Sequence, residues 1–248
     1  MSIIGNGNDI RCTFAKKNDM ENTIDWNKYK QASEDEKVKL LKAWAEQGDV
    51  KAQFILGVIY SDEDNDCRNV EEAIHWFRRA AEQGHWKAQT NLGICLLYEQ
   101  KECTLEECEE ALRWLGLSAE NGDSKAQLVL GVEYHKGEMV PIDYDKSAHW
   151  LKLAAEHGIS VAQNALGYMF KNGEGVPVDY NQALSLFHKA AEKGDKTAQY
   201  NIGLMYEEGK GVEKNYELAR GWYQKAAENG DKDAQSALER LEQSAGDQ

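Results

Sequence analysis

The stretch Ala191-Glu-Lys-Gly-Asp-Lys-Thr-Ala-Gln199 is one of six versions of a single phrase, and every version keeps its first alanine, its glycine, its second alanine and its final glutamine. Successive copies lie 36, 38, 36, 36 and 36 residues apart. A second marker, eight residues before the repeat glycine, keeps the same phase: Trp76, Trp114, Trp150, Leu186 and Trp222. Two markers in one phase indicate an internal repeat of about 36 residues.

Each repeat has the pattern of two short helices. Ala162, Leu166 and Phe170 fall at i, i+4 and i+8, which places them on one face of a helix that we name helix A. A glycine such as Gly167 sits beside this face. Because glycine costs a helix interior about 1 kcal/mol relative to alanine, we expect a close helix-to-helix contact there to offset it.

The residues between the apolar segments predict where the helices end. The turn Gly173-Glu-Gly-Val-Pro177 follows helix A, and Asp179 stands where an N-cap for the second helix, helix B, is needed. Helix B then ends at the repeat phrase. There Gly194 is placed as a left-handed C′ residue, and Asp195 is placed to cap the next helix A.

A pair of this kind cannot bury its apolar face alone, so neighbouring pairs are expected to stack. The predicted fold is all-α, a right-handed α-α superhelix or solenoid of about five pairs with a capping helix at each end. A capping box at Ser33–Glu36 is expected to open the first cap, and 233–243 is expected to form the last. The predicted domains are a flexible arm over 1–30, the solenoid over 31–243 and a disordered tail over 244–248.

The pattern A-x-x-x-L-G-x-x-Y-x-x-G-x-G-V-x-x-D-x-x-x-A-x-x-W-x-x-x-A-A-E-x-G resembles the Sel1-like repeat, a relative of the tetratricopeptide repeat. The match is closest in 126–158, 162–194 and 198–230. The first two repeats lack Gly-x-Gly-Val, and the second has two extra residues. The resemblance implies an adaptor that binds proteins, with no general catalytic motif and no cofactor.

Charge and hydropathy restrict the partners. The formal net charge is −14 and the pI is about 4.9, so the surface repels nucleic acid and anionic membranes, and a basic or amphipathic protein or peptide is the expected partner. No segment approaches the roughly 20 apolar residues of a membrane span, and no secretory signal is evident. We expect a cytoplasmic protein with reduced cysteines, or a periplasmic or secreted one if a leader has been removed. The oligomeric state is left open.

The candidate binding residues lie on helix A, beside the apolar face. In this repeat type helix A is expected to line the concave surface, where these side chains would form a groove for a peptide or a partner helix. The alternative is that they pack between adjacent A helices. The set is Phe54, Val58, Asn91, Ile94, Leu128, Val132, His135, Asn164, Tyr168, Tyr200 and Leu204.

A second candidate is acidic. The segments 61–72 and 99–110 each carry six acidic residues and one basic residue, and together they contribute −10 of the net charge. They are interpreted either as a patch for a basic partner or as solvated loops. The residues named for the patch are Asp62, Glu63, Asp64, Asp66, Glu102, Glu106 and Glu107.

Three functions are weighed. The leading one is a non-enzymatic scaffold, and the alternative is an inhibitor or immunity protein that blocks a toxin. A small-molecule hydrolase is the least favoured, because no nucleophile and base can be named. The six histidines and five cysteines show no metal-ligand spacing, so neither a catalytic nor a metal site is predicted.

Overall fold

The computed structural model describes residues 26–99 and 104–246, in which thirteen α-helices, one π-helical segment and no strand occur. The all-α class is therefore confirmed. The helices are α1 Trp26–Gln31, α2 Glu34–Glu46, α3 Val50–Ser61, α4 Val70–Glu82, α5 Trp86–Ile94, the π-helix Cys95–Glu99, α6 Leu105–Glu120, α7 Ser124–Lys136, α8 Tyr144–Glu156, α9 Ser160–Asn172, α10 Tyr180–Ala191, α11 Lys196–Glu208, α12 Tyr216–Glu228 and α13 Lys232–Gly246.

The chain divides into two compact units, Met1–Cys103 and Thr104–Gln248. In the first unit α2 packs on α3, α3 packs on α4 and α4 packs on α5. The short helix α1 lies on α2, with the Tyr29 ring centroid 6.3 Å from that of Trp44. Residues 1–25 of the predicted arm lie outside the described residues.

In the second unit every helix A packs against the helix B that follows it: α7 on α8, α9 on α10, and α11 on α12. Each helix B also packs on the next helix A, ending with α12 on α13. The core of this unit includes small clusters that each join a helix B to the following helix A: α8 with α9, α10 with α11 and α12 with α13. Around Tyr223, for example, Ala219, Ala226, Ala234 and Ala237 are all buried, so α13 closes the last cluster as the predicted cap should.

The helix-interior glycines sit where two helices come closest. A Cβ atom on Gly57 would lie 2.4 Å from the Phe77 ring, and one on Gly203 would lie 2.5 Å from the Tyr223 ring. Gly131 and Gly167 meet Leu151 and Phe187 in the same way. The expected close approach is confirmed, because no side chain larger than hydrogen fits at this repeat position without displacing the facing ring or leucine.

The predicted helix ends are also confirmed. Asp179 accepts the Gln182 backbone N–H at 3.0 Å, Asp195 accepts that of Ala198 at 2.9 Å, and Gly194 takes φ +82°. One expectation was wrong. Helix α2 does begin after Ser33, but the Ser33 side chain makes no capping hydrogen bond. The capping box occurs instead on α6. There the Thr104 side-chain oxygen accepts the Glu107 backbone N–H, and the Glu107 carboxylate accepts the Thr104 backbone N–H.

Three features depart from the simple repeat. Trp26–Gln31 is helical, so the helix begins inside the predicted arm, and α13 continues to Gly246, inside the predicted tail. In the second repeat α5 passes into the π-helix Cys95–Glu99, whose wider turns take up additional residues.

Cys108 is disulfide-bonded, which corrects the expectation of reduced cysteines there; Cys67 and Cys95 are thiols.

Candidate functional site

A buried glutamine fixes how each helix A is presented. Its Nε2 donates to the alanine carbonyl eight residues earlier, at the end of the preceding helix B, over 3.0–3.5 Å. This bond is a second one to that carbonyl, which also accepts the backbone N–H of the repeat glycine at 2.9–3.0 Å. The residues concerned are Gln53, Gln89, Gln127, Gln163 and Gln199. The apolar stripe beside the glutamine is buried, as Ala162 and Leu166 are in α9.

In the second unit four of these predicted residues are part of the packing. Leu128 and Val132 of α7 lie against the cluster formed by α8 and α9, and Tyr200 and Leu204 of α11 lie against the cluster around Tyr223. All four are half-buried. For these residues the alternative of packing between elements accounts for much of their surface. The Tyr200 ring lies 5.4 Å from that of Tyr223, and burial raises the pKa of its hydroxyl.

Tyr168 of α9 differs, because 39% of it is exposed. Its ring lies edge-on to His135, with 6.2 Å between centroids, and His135 Nε2 is 2.8 Å from Glu174 Oε2. The Lys171 ammonium lies 5.2 Å from the centroid of the Tyr168 ring. The structure thus places an accessible aromatic side chain between two groups that can hydrogen-bond or carry charge.

A polar bridge joins neighbouring A helices beside Tyr168. Asn201 Nδ2 of α11 donates to Asn164 Oδ1 of α9 at 3.0 Å. Asn164 is half-buried, so the two amides are held in place while part of the pair faces solvent. We name the surface formed by His135, Asn164, Tyr168, Lys171 and Asn201 the A-helix face.

Lys171 was missed by the sequence analysis. Burial lowers the pKa of its ammonium. Its position three residues after Tyr168, about one helical turn on, is the sequence signal that could have indicated this contact.

In the first unit the predicted residues behave differently from one another. Phe54 is stacked on His85 with 4.5 Å between ring centroids and lies 6.1 Å from Phe77, so it is engaged within the unit. Burial lowers the pKa of His85, which favours the neutral ring in this stack. Val58 is 41% exposed, while Asn91 and Ile94 are half-buried.

The acidic residues are exposed but not uniformly available. Asp62, Glu63, Asp64 and Asp66 lie at the surface after α3, and Asp62 Oδ1 accepts the Asp64 backbone N–H at 3.2 Å. Within this unit Arg68 pairs with Glu99 at 2.5 Å, which removes part of the predicted negative field.

On α6 Glu106 is exposed in the first helical turn, whereas Glu107 belongs to the capping box. The predicted participation of Glu102 lies outside the described residues. Across 26–99 and 104–246, no three His, Cys, Asp or Glu side chains are grouped to hold a metal ion. In the same ranges no helix combines the length and the apolar character needed to cross a bilayer.

Comparison with known proteins identifies the repeat. The Sel1 repeat matches residues 50–85, 86–123, 124–159, 160–195 and 196–231. Among solved structures, a protective antigen present in uropathogenic Escherichia coli strains, described as displaying an SLR fold, is 37% identical with a TM-score of 0.73. A Sel1 repeat protein from Oxalobacter formigenes is 31% identical with a TM-score of 0.68.

The matches cover 81% and 84% of this chain but only 43% and 60% of the two relatives, so the chain spans about half the length of those proteins. No curated protein sequence matches it. The five matched repeats nevertheless extend over most of the chain, in the same phase as the helix pairs of the structure. The chain belongs to the Sel1 repeat family.

Proposed function

We propose that this chain is a non-enzymatic scaffold that binds a partner protein or peptide through its A-helix face, which we expect to be the concave one. Sel1 repeats form a scaffold fold that typically serves protein–protein interaction. The proposal therefore concerns which surface is used and what kind of partner it accepts.

The accessible ring of Tyr168 carries the proposal. Aromatic residues that carry a polar group, such as tyrosine, are enriched at the centre of binding surfaces, because they bury a large area and lose little conformational entropy. Around Tyr168 stand His135, Lys171 and the Asn164–Asn201 bridge, which offer both donors and acceptors to a bound main chain. This combination suits an extended or helical segment that places one apolar residue on the ring.

The net charge supports a basic or amphipathic partner. With a formal charge of −14, the protein attracts positively charged segments over the range of a Debye length, which raises association rates and depends on salt. The exposed acidic residues Asp64, Asp66 and Glu106 are the candidate source of this attraction. The cytoplasmic location expected from the sequence stays a prediction, and the disulfide at Cys108 favours an oxidising compartment instead.

Affinity capture from the native host tests the proposal. The change Tyr168→Ser removes the accessible ring without touching the buried clusters, and Leu218→Ser alters a 46% exposed side chain on a helix B as a matched control. We expect the captured partner to be lost with the first variant and kept with the second. Retention of every partner by Tyr168→Ser would refute this use of the A-helix face. If the partner is an enzyme or toxin, measuring its activity in the complex separates a scaffold from an inhibitor.

A further inference from the structure

A cavity of about 550 Å³ opens between two successive B helices, α8 and α10. Its apolar lining includes Ala148, Leu166 and Leu186. Lys152 of α8, Lys189 of α10 and Gln163 of α9 line it as well. The cavity lies wholly within the second unit.

A substitution within the repeat contributes to this space. The position that is Leu186 in α10 is tryptophan in the other four full repeats. In the next repeat Trp222 packs against the cluster formed by α10 and α11, in the same relation that Leu186 has to the cluster formed by α8 and α9. Leucine has no indole, so the groove beside Leu186 lacks the aromatic ring that its counterpart contains.

In two of the four tryptophan repeats a cation accompanies the indole, and its counterpart is present beside Leu186. Three residues after the tryptophan, Arg79 lies 5.3 Å from the ring centroid of Trp76, and Lys225 lies 4.3 Å from that of Trp222. Lys189 stands at this same offset from Leu186 and lines the cavity. Because a cation over an aromatic face is attracted by the electrons of the ring, Lys189 favours an aromatic occupant over an aliphatic one.

Gln182 stands where the repeat places an acceptor for the indole. In two other repeats the residue four positions before the tryptophan accepts its N–H: Glu72 from Trp76 at 3.0 Å and Glu110 from Trp114 at 3.0 Å. Gln182 has the same offset from Leu186 and lines the cavity. Its side-chain carbonyl can accept the N–H of an indole placed there.

We propose that this cavity is a second binding site, which accepts a tryptophan side chain from a partner polypeptide. The partner's indole takes the place that the chain's own tryptophan takes in the other repeats, with Lys189 against its face and its N–H directed toward Gln182. The site is separate from the A-helix face, so it does not depend on the function proposed above.

Saturation-transfer NMR with two blocked peptides tests the site on the full chain. The probes are acetyl-Gly-Ser-Trp-Ser-Gly-amide and the same peptide with leucine in place of tryptophan. We expect the indole protons of the first peptide to receive saturation and the second peptide to bind about tenfold more weakly or not at all. Equal signals from both peptides, or none from either, would overturn the proposal. Binding of free indole without binding of the peptide would also overturn it, since the cavity would then serve a small aromatic molecule.

Two variants locate the binding. Leu186→Trp restores the repeat residue and fills the cavity from within, and Ser185→Tyr obstructs it from an exposed lining position. Each is expected to lower the affinity for the tryptophan peptide about tenfold or more. Leu186→Trp is also expected to raise the melting temperature as a cavity-filling change. The second variant keeps the test valid if the first does not fold. Undiminished binding in a folded variant of either kind would place the peptide elsewhere.

Discussion

At the scale of single residues, two side chains per repeat govern how the helices meet. The buried glutamine of helix A ties it to the end of the preceding helix B, and the helix-interior glycine lets the following helix B come close. Gln53 shows the first role most completely: Nε2 donates to the Ala45 carbonyl at 3.0 Å, and Oε1 accepts from Gln83 at 2.7 Å. Both contacts lie within the first unit, so their effect is local.

The glutamine role predicts a cost for Gln53→Ala. The change removes one of two donors to the buried Ala45 carbonyl, which keeps the Gly48 N–H at 3.0 Å, and is expected to lower the free energy of unfolding by about 0.5–1.5 kcal/mol. Gln235→Ala is the matched control, because Gln235 stands at the same repeat position in α13 but is exposed. Its effect should stay within about 0.5 kcal/mol. Urea denaturation compares the two, and equal midpoints would show that the glutamine bond does not stabilise the pair.

A pair of glycines tests the close approach. Gly203→Ala places a methyl group 2.5 Å from the Tyr223 ring, so we expect a loss of about 1–3 kcal/mol in stability as the facing ring is displaced. Gly221→Ala lies in α12, where an added Cβ meets nothing within 4 Å, and should instead gain about 1 kcal/mol from helix propensity. Thermal denaturation measures both. The same sign for both substitutions would contradict the packing described here.

At the scale of the element, most helix limits could be predicted because each depends on residues next to it in sequence. The start of α10 is specified by Asp179, with Gly173 before it. Its end and the start of α11 are specified by Gly194 and Asp195. The π-helix Cys95–Glu99 could not be predicted, because the two extra residues of its repeat have no counterpart whose position would show how they are absorbed. The cavity beside Leu186 was missed for another reason: it arises between B helices of different repeats, a relation that no local pattern contains.

The helix caps predict a pH dependence. Backbone N–H donation from Gln182, followed by its side chain, lowers the pKa of the Asp179 carboxyl below its usual 3.8. A depressed pKa in the folded state means that the charged cap contributes stability above the unfolded pKa and loses it as the pH falls through the folded one. Comparing the melting temperature of Asp179→Asn with that of the natural protein from pH 7 to pH 2 should show a gap that narrows below about pH 4. A gap that is constant with pH would show that the charge of this cap is unimportant.

At the scale of the whole molecule, stability comes from a series of small clusters, each closed by its neighbour. The last cluster depends on α13, whose Ala234 and Ala237 are buried together with Tyr223 and Ala226 of α12. Removing residues 232–248 is therefore expected to expose Tyr223 and to promote aggregation, seen as increased binding of a hydrophobic dye and a smaller soluble fraction. The exposed substitution Glu239→Ala on the same helix is the control. Unchanged dye binding after the truncation would mean that the cluster does not need its cap.

The stacking of repeats could be predicted at this scale, whereas the identity of the binding surface could be predicted only in part. The sequence named Tyr168 together with Leu128, Val132, Tyr200 and Leu204 as one groove. The structure leaves 39% of Tyr168 exposed and packs the other four against core clusters. Spacing along a helix specifies which side chains share a stripe, but how far each one is covered depends on the size of the residues facing it from the next element.

The most direct test of the central claim is a covalent one. Replacing Tyr168 by the photoreactive p-benzoylphenylalanine and irradiating cells of the native host should crosslink the chain to its partner, because this position lies in the proposed contact. The same replacement at Leu218 on α12 controls for random collisions and should give no specific product. Crosslinks to one partner at Tyr168 alone would support binding through the A-helix face, and a product formed at Leu218 but not at Tyr168 would contradict it.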